Sequence, residues 1–167
     1  MVMNMKKHIS CLRLNMSLLF IMALLSSCLT NGLDELESFT DTKITNVKFE
    51  HRWIRQITSS TGLQLEQLAV VAMTTNCDFK ENTINCTITV PEVGNPSMFT
   101  EDVRNQVSLS SIVGMVSIST AATIKPLEGS PVFGDLGNFT TARKYLVTAA
   151  DGKTKKEWTI ICTMIKK

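Results

Sequence analysis

The sequence predicts an all-β protein built as a sandwich of two sheets. Short segments in which apolar and polar residues alternate recur between turn signals, and they give about seven strands. No segment shows the three-to-four-residue apolar spacing of a convincing amphipathic helix. The length of 167 residues suits one domain, and the hydrophobic share of 44% is enough for a packed core.

Composition and motifs exclude several classes of function. The formal charge of +2 includes three basic residues within 1–27, and without them 14 basic residues face 15 acidic ones. Such a chain lacks the basic surface that nucleic-acid binding requires. The histidines His8 and His51 are too few for a histidine-based metal cluster, and the common hydrolase, phosphate-loop and dinucleotide motifs do not occur. We therefore expect no enzymatic activity, no metal and no cofactor.

The amino terminus has the organisation of an export signal. A basic stretch precedes a ten-residue apolar run at 16–25. This length is typical of the central region of a signal peptide and is too short to span a bilayer, so we predict no transmembrane helix.

The run ends in Leu25-Ser26-Ser27-Cys28, which resembles the bacterial lipobox. That resemblance implies cleavage after residue 27, lipidation of Cys28 and stable anchoring through acyl chains, palmitate-like in kind, to the outer membrane. The alternative is an ordinary secretory signal with a cysteine near its end by chance. Residues 28–43 are polar and acidic and predict a flexible tether, while the face of the membrane stays open.

The first half of the mature chain contains three predicted strands. From Ile44 the pattern has period two, with Val47, Phe49, His51 and Trp53 on one face. Residues 63–73 are rich in apolar residues and allow a short helix, but the β-branched pair Val70-Val71 favours a strand. Residues 82–90 alternate until Pro91 ends the strand. Residues 92–108 are loop-like, and 108–113 predict one helical turn.

The second half contains the remaining strands. Residues 115–119 and 122–125 predict two short strands, and the glycine-rich segment 127–138 predicts a structured loop. Residues 145–149 form another strand, and Asp151-Gly152 predicts a tight hairpin turn into a last strand through residue 164. We therefore place the domain at residues 44–167.

Three segments of this domain resemble a family of small Bacteroides-type lipoproteins with an Ig-like module. They are Ile44–Trp53, Ser119–Pro131 and the terminal hairpin Tyr145–Ile160. The resemblance implies an Ig-like β-sandwich on the cell surface and a non-enzymatic binding or presentation role, accessory to glycan binding and uptake. The alternative is a structural or adhesive, fimbria-like subunit that binds a protein partner.

Cys77 and Cys86 flank a segment that predicts a turn around residues 80–83, which would place the two thiols opposite each other. An exported protein can form disulfides, so this pair is a candidate disulfide; two unpaired thiols are the alternative. Cys162 lies on the apolar face of the last strand, and we interpret it as a core residue.

Trp53 and its neighbour Arg52 are the candidate ligand-binding residues. An exposed indole can stack on a sugar, and an arginine can donate hydrogen bonds to hydroxyl groups. The alternative is that Trp53 packs on the core and Arg52 is solvated. Acidic loop residues such as Asp78 and Asp135 do not follow a calcium-loop pattern, which is why no metal ligand is predicted.

Overall fold

The computed structural model describes residues 39–94 and 96–166. Its elements, in chain order, are β1 (Ile44–Thr58), β2 (Gln64–Ala72), β3 (Thr74–Lys80), β4 (Thr83–Val90), α1 (Glu101–Gln106), β5 (Ile112–Ile118), β6 (Thr123–Leu127), β7 (Leu136–Gly137), β8 (Arg143–Thr148) and β9 (Lys155–Lys166). The predicted leader, lipidated Cys28 and most of the predicted tether lie outside the described residues.

The strands form two packed sheets, which confirms the predicted all-β sandwich. The first sheet has the order β2-β1-β5-β7 and the second has the order β3-β4-β9-β8-β6. Neighbouring strands are antiparallel except β4 and β9, which run parallel. The described residues contain nine strands rather than about seven. The two additional strands are the polar edge strand β3 and the two-residue β7, neither of which has the apolar alternation of a strand buried on one face.

Side chains that alternate along the strands fill the core between the sheets. Phe49 of β1 contacts Phe139 edge to face, with 5.1 Å between ring centroids. Tyr145 of β8 stacks on Phe133 at 4.3 Å and donates its hydroxyl to the carbonyl oxygen of Pro131 at 2.9 Å. The predicted inward faces of the strands are confirmed, because the following side chains are all buried: Val47, Phe49, His51, Ile84, Cys86, Ile88, Val90, Tyr145, Val147, Trp158 and Ile160.

The prediction of a helical turn at 108–113 is wrong, and the helix lies earlier in the chain. Residues 108 and 111 form an isolated β-bridge, whereas α1 occupies 101–106 within the segment predicted as loop. The side-chain oxygen of Thr100 caps its amino terminus by accepting from the backbone N–H of Val103 at 3.4 Å. Phe99 and Val107, on either side of the helix, are buried in the core.

The turn at Asp151-Gly152 is present but is built differently from the tight hairpin predicted. Six residues separate β8 from β9, and Gly152 has a φ of 68°. The carboxylate of Asp151 accepts the backbone N–H groups of Lys153 and Thr154 at 2.8 Å each. The aspartate therefore organises the loop through side-chain hydrogen bonds.

Residues 39–43, predicted as the end of the tether, are hydrogen-bonded to the sandwich. The indole N–H of Trp158 donates to the carbonyl oxygen of Thr42 at 2.9 Å. The backbone N–H of Asp151 donates to the carbonyl oxygen of Phe39 at 3.3 Å. The domain therefore begins before β1.

Candidate functional site

The structure does not bring Trp53 and Arg52 together on one surface. They are consecutive residues of β1, and side chains of consecutive strand residues point to opposite faces of a sheet. Trp53 lies on the inner face, packed against the core, and Arg52 lies on the outer face.

Trp53 is half-buried, and two rings contact it. The imidazole of His51 stacks on its indole with 5.9 Å between centroids and 16° between planes. Phe99 approaches at 6.1 Å in a tilted arrangement. Trp53 therefore packs β1 against the segment that precedes α1, which is a structural role.

The guanidinium of Arg52 is held by groups of the protein. Its Nε donates to the carboxylate of Glu50 at 2.6 Å, and one terminal nitrogen donates to the carbonyl oxygen of Gly134 at 2.9 Å. The backbone N–H of Gly134 in turn donates to the carbonyl oxygen of Gly114 at 2.8 Å. Arg52 thus fastens the loop before β7 onto the outer face of the first sheet.

His51 is only 6% exposed, which is unusual for a polar side chain without hydrogen-bond partners. Neither of its ring nitrogens has a hydrogen-bond partner among residues 39–94 and 96–166. Burial, and secondarily the positive charge of Lys166, lower the pKa of His51 below its ordinary value of 6.5. The imidazole is therefore neutral at physiological pH.

The most conspicuous surface feature is the hairpin of β1 and β2, which sequence reasoning did not identify as a site. From residue 54 to residue 68 nearly every side chain is exposed or half-buried, so this part of the hairpin extends past the core. Ile54 pairs with Leu68, and Arg52 pairs with Val70, on the outer face. We call Ile54, Leu68 and Val70 the hairpin patch; their side chains are 58%, 57% and 40% exposed.

Polar pairs border the hairpin patch. Toward the turn, the side-chain amide of Gln56 donates to Glu66 at 3.1 Å, and toward the sandwich lies the Arg52–Glu50 ion pair. Within the described part of the chain, β2 pairs with β1 alone, so its other edge is open. An apolar centre within a polar rim, beside an open strand edge, is the arrangement of a protein-binding surface. The signal in the sequence is the surplus of aliphatic residues in 63–73, a segment predicted as a strand without an exposed apolar face.

The three described cysteines form a row across the second sheet. Cys77 of β3 pairs with Cys86 of β4, as the sequence predicted, and Cys86 pairs with Cys162 of β9. None of the three is bonded to another described cysteine. The neighbouring Cys86 thiol and burial raise the pKa of Cys77, and the Cys162 thiol and burial raise the pKa of Cys86 to about 12. The predicted disulfide of Cys77 and Cys86 stays a prediction.

Among residues 39–94 and 96–166, no three His, Cys, Asp or Glu side chains are grouped so as to hold a metal ion. Over the same ranges, none of the helices has the length and apolar character needed to cross a membrane.

The solved structures that resemble the chain include two from Bacteroides. One is a Bacteroides fragilis NCTC 9343 protein assigned as secreted, which is 35% identical, with a TM-score of 0.67 and coverage of 76% of this chain and 98% of that one. The other is assigned as a glycoside hydrolase of Bacteroides thetaiotaomicron VPI-5482. It is 21% identical, with a TM-score of 0.45, and the alignment covers 81% of this chain and 28% of that one. No curated protein matches the chain.

The relative from B. fragilis fits the resemblance to Bacteroides-type surface proteins and a secreted or envelope location. Residues 44–161 match the model of the DUF5018-related family, which covers most of the described domain. The chain belongs to the DUF5018-related family.

Proposed function

We propose that the chain is a non-enzymatic binding module of the bacterial cell envelope and that it binds a protein partner through the hairpin patch. The proposal includes export, lipidation at Cys28 and anchoring in the outer membrane, as the lipobox resemblance implies. The observation that carries it is the exposure of Ile54, Leu68 and Val70 side by side on a hairpin that extends past the core.

An exposed apolar cluster of this kind favours non-specific association unless a partner covers it. Aliphatic side chains on a strand with an open edge favour association, and proteins usually protect such edges with charges, prolines or bulges. β2 has a single charged residue, Glu66, over its nine positions. In contrast, β6, which is an edge strand of the second sheet, carries Lys125 and Pro126. The unprotected edge of β2 supports a binding role for this hairpin.

The hairpin patch suits a protein better than a glycan. Sugars are recognised by open aromatic faces combined with hydrogen-bonding groups, whereas the hairpin patch is aliphatic. Trp53 is stacked against His51, and Arg52 is engaged by Glu50 and Gly134. The glycan-accessory role therefore rests on the family resemblance alone.

A binding comparison tests the proposal. The chain from residue 29, without lipid, is immobilised and exposed to solubilised envelope proteins of the producing bacterium, in wild-type form and as Ile54→Thr/Leu68→Thr. Threonine keeps the preference for strand structure and removes apolar contact area. We expect saturable capture of a discrete protein by the wild type and at least about tenfold weaker capture by the variant, since two anchors each contributing above 1 kcal/mol are lost.

The matched control is Ile161→Thr/Ile165→Thr, which makes the same change at side chains 41% and 40% exposed on β9. We expect this variant to bind like the wild type. Equal capture by all three proteins would contradict the proposal, and so would binding to a glycan array that is independent of the hairpin substitutions.

A further inference from the structure

Three thiols lie in a row across the second sheet, and they form one antiparallel and one parallel neighbouring pair. Cys86 lies in the centre of the row, opposite Cys77 on one side and Cys162 on the other. Paired residues of neighbouring strands point to the same face, and all three side chains belong to or pack against the core. Proximity alone therefore does not decide which pair can bond.

The loop of the β3–β4 hairpin determines whether Cys77 and Cys86 are a hydrogen-bonded or a non-hydrogen-bonded pair of the ladder. Its loop consists of the two residues 81 and 82, so the flanking pair Lys80 and Thr83 exchanges backbone hydrogen bonds. Hydrogen-bonded and non-hydrogen-bonded pairs then alternate along an antiparallel ladder. Cys77 and Cys86, three pairs further from the loop, are a non-hydrogen-bonded pair, in which Cα atoms lie about 4.5 Å apart and side chains approach most closely. The Cβ atoms of such a pair lie about 4.5 Å apart, the closest approach in an antiparallel ladder and within reach of the spacing of about 3.5–4.5 Å that a disulfide spans.

The second pair has a different geometry because β4 and β9 are parallel. Side chains of paired residues in parallel strands stand side by side, separated by the strand spacing of about 4.7–4.9 Å. A disulfide needs its Cβ atoms about 3.5–4.5 Å apart, so closing this pair would require the strands to shift. Strand β4 lies inside the sheet, between β3 and β9, which resists such a shift.

We propose that Cys77 and Cys86 form a disulfide as the exported chain folds in the presence of a disulfide oxidant, and that Cys162 remains a buried thiol beside it. In the first step one of the pair, as thiolate, attacks a sulfur of the oxidant, forming a mixed disulfide and releasing one thiol. The second cysteine then attacks the mixed disulfide at the protein sulfur, which forms the Cys77–Cys86 bond and releases a second thiol. Two electrons and two protons pass from the cysteine pair to the oxidant disulfide.

The bond is expected to form before the sandwich closes. The β3–β4 hairpin is local in sequence, whereas β9 comes last in the chain. In the folded state the raised pKa values of Cys77 and Cys86 keep both thiols protonated and therefore slow to react. An oxidant is thus best supplied during refolding.

Peptide mapping tests the proposal. The chain 29–167, which lacks the cysteines at 11 and 28, is denatured, reduced and then refolded with oxidised and reduced glutathione; residues 39–166 have their own core. Free thiols are alkylated and the protein is digested with trypsin without reduction. Cleavage after Lys80 separates Cys77, in peptide 56–80, from Cys86, in peptide 81–104, while Cys162 lies in peptide 157–166.

We expect peptide 56–80 to be joined to peptide 81–104, and peptide 157–166 to be alkylated. The variant Cys162→Ser keeps the joined pair, and Cys77→Ser leaves both remaining cysteines alkylated. Alkylation of all three wild-type cysteines after refolding would overturn the proposal. A joined pair of peptides 81–104 and 157–166 would overturn it equally, because it would show that the parallel pair closes instead.

Discussion

His51 illustrates a buried polar side chain whose effect on stability depends on pH. Its two ring nitrogens have no hydrogen-bond partner within the described residues, and its pKa is lowered by burial. Leucine in its place removes two unsatisfied groups, so we expect His51→Leu to raise the free energy of unfolding by about 1 kcal/mol at pH 7.5. Urea denaturation of the two proteins measures this difference, and a loss of stability in the variant would contradict the description of the site.

The lowered pKa of His51 also makes the stability of the fold depend on pH in the acidic range. The unfolded chain binds a proton at His51 near pH 6.5, whereas the folded chain binds it only at lower pH. Stability of the wild type therefore falls as the pH drops below 6.5, by up to about 1.4 kcal/mol per unit, and His51→Leu lacks this slope. Unfolding free energies between pH 7.5 and 5 test this, a range above that in which the lowered pKa values of Asp41 and Asp151 act. Parallel profiles of wild type and variant would contradict it.

Tyr145 makes the stability of the fold fall as the pH rises in the alkaline range, the reverse of the effect of His51 in acid. Burial raises the pKa of this phenol above its ordinary value of 10, because the ionised form would lose its hydration. Above pH 10 the unfolded chain loses the proton first, so the free energy of unfolding falls as the pH rises. Tyr145 is the one tyrosine of the chain, and absorbance at 295 nm therefore reports its ionisation alone. We expect titration near pH 10 in guanidinium and at clearly higher pH in the folded protein; coincident curves would show that the ring is solvated.

At the scale of elements, the centre of β5 depends on the absence of a side chain. A Cβ added at Gly114 would lie 2.8 Å from a ring carbon of Phe139 and 3.2 Å from one of Phe49. Because both rings are fully buried, they cannot move aside freely, and we expect Gly114→Ala to cost about 1–3 kcal/mol. Thermal denaturation measures the loss. Ser117→Ala, at an exposed position of the same strand, should change stability by less than about 0.5 kcal/mol, and equal effects of the two substitutions would argue against tight packing.

The elements that could be predicted from the sequence are those buried on one face. Ile84 and Ile88 alternate with polar residues, and Trp158 and Ile160 flank Thr159; these patterns correctly gave β4 and β9 with their inward faces. α1 was missed because its six residues are too few for a periodic pattern. The capping threonine at 100, followed by Glu101 and Asp102, was the local signal that could have identified it.

Topology was not available from the sequence. The parallel pairing of β4 with β9 joins residues 76 positions apart, such as Thr83 and Thr159, and no local pattern specifies such a contact. For the same reason the alignment of Cys162 with Cys86 was not foreseen, although the pairing of Cys77 with Cys86 was. The candidate residues Trp53 and Arg52 were adjacent in sequence, but the alternation of β1 separates them onto opposite faces.

For the molecule as a whole, the sandwich and the hairpin have different roles. The core between the sheets accounts for the apolar alternation of most strands, whereas residues 54–68 lie outside it and keep their aliphatic side chains exposed. A hairpin whose apolar surface is not used by the fold is the part of this domain best suited to a partner. We therefore propose that a protein partner occupies the hairpin patch.

Site-specific photo-crosslinking in cells that produce the full-length chain tests whether a protein occupies the hairpin patch. A benzophenone amino acid replaces Leu68 in the hairpin patch or, as the control, Ile161 on the outer face of the second sheet. We expect a discrete adduct with one protein, dependent on illumination, from position 68 and none of comparable yield from position 161. Absence of an adduct at position 68, or equal adducts from both positions, would contradict it.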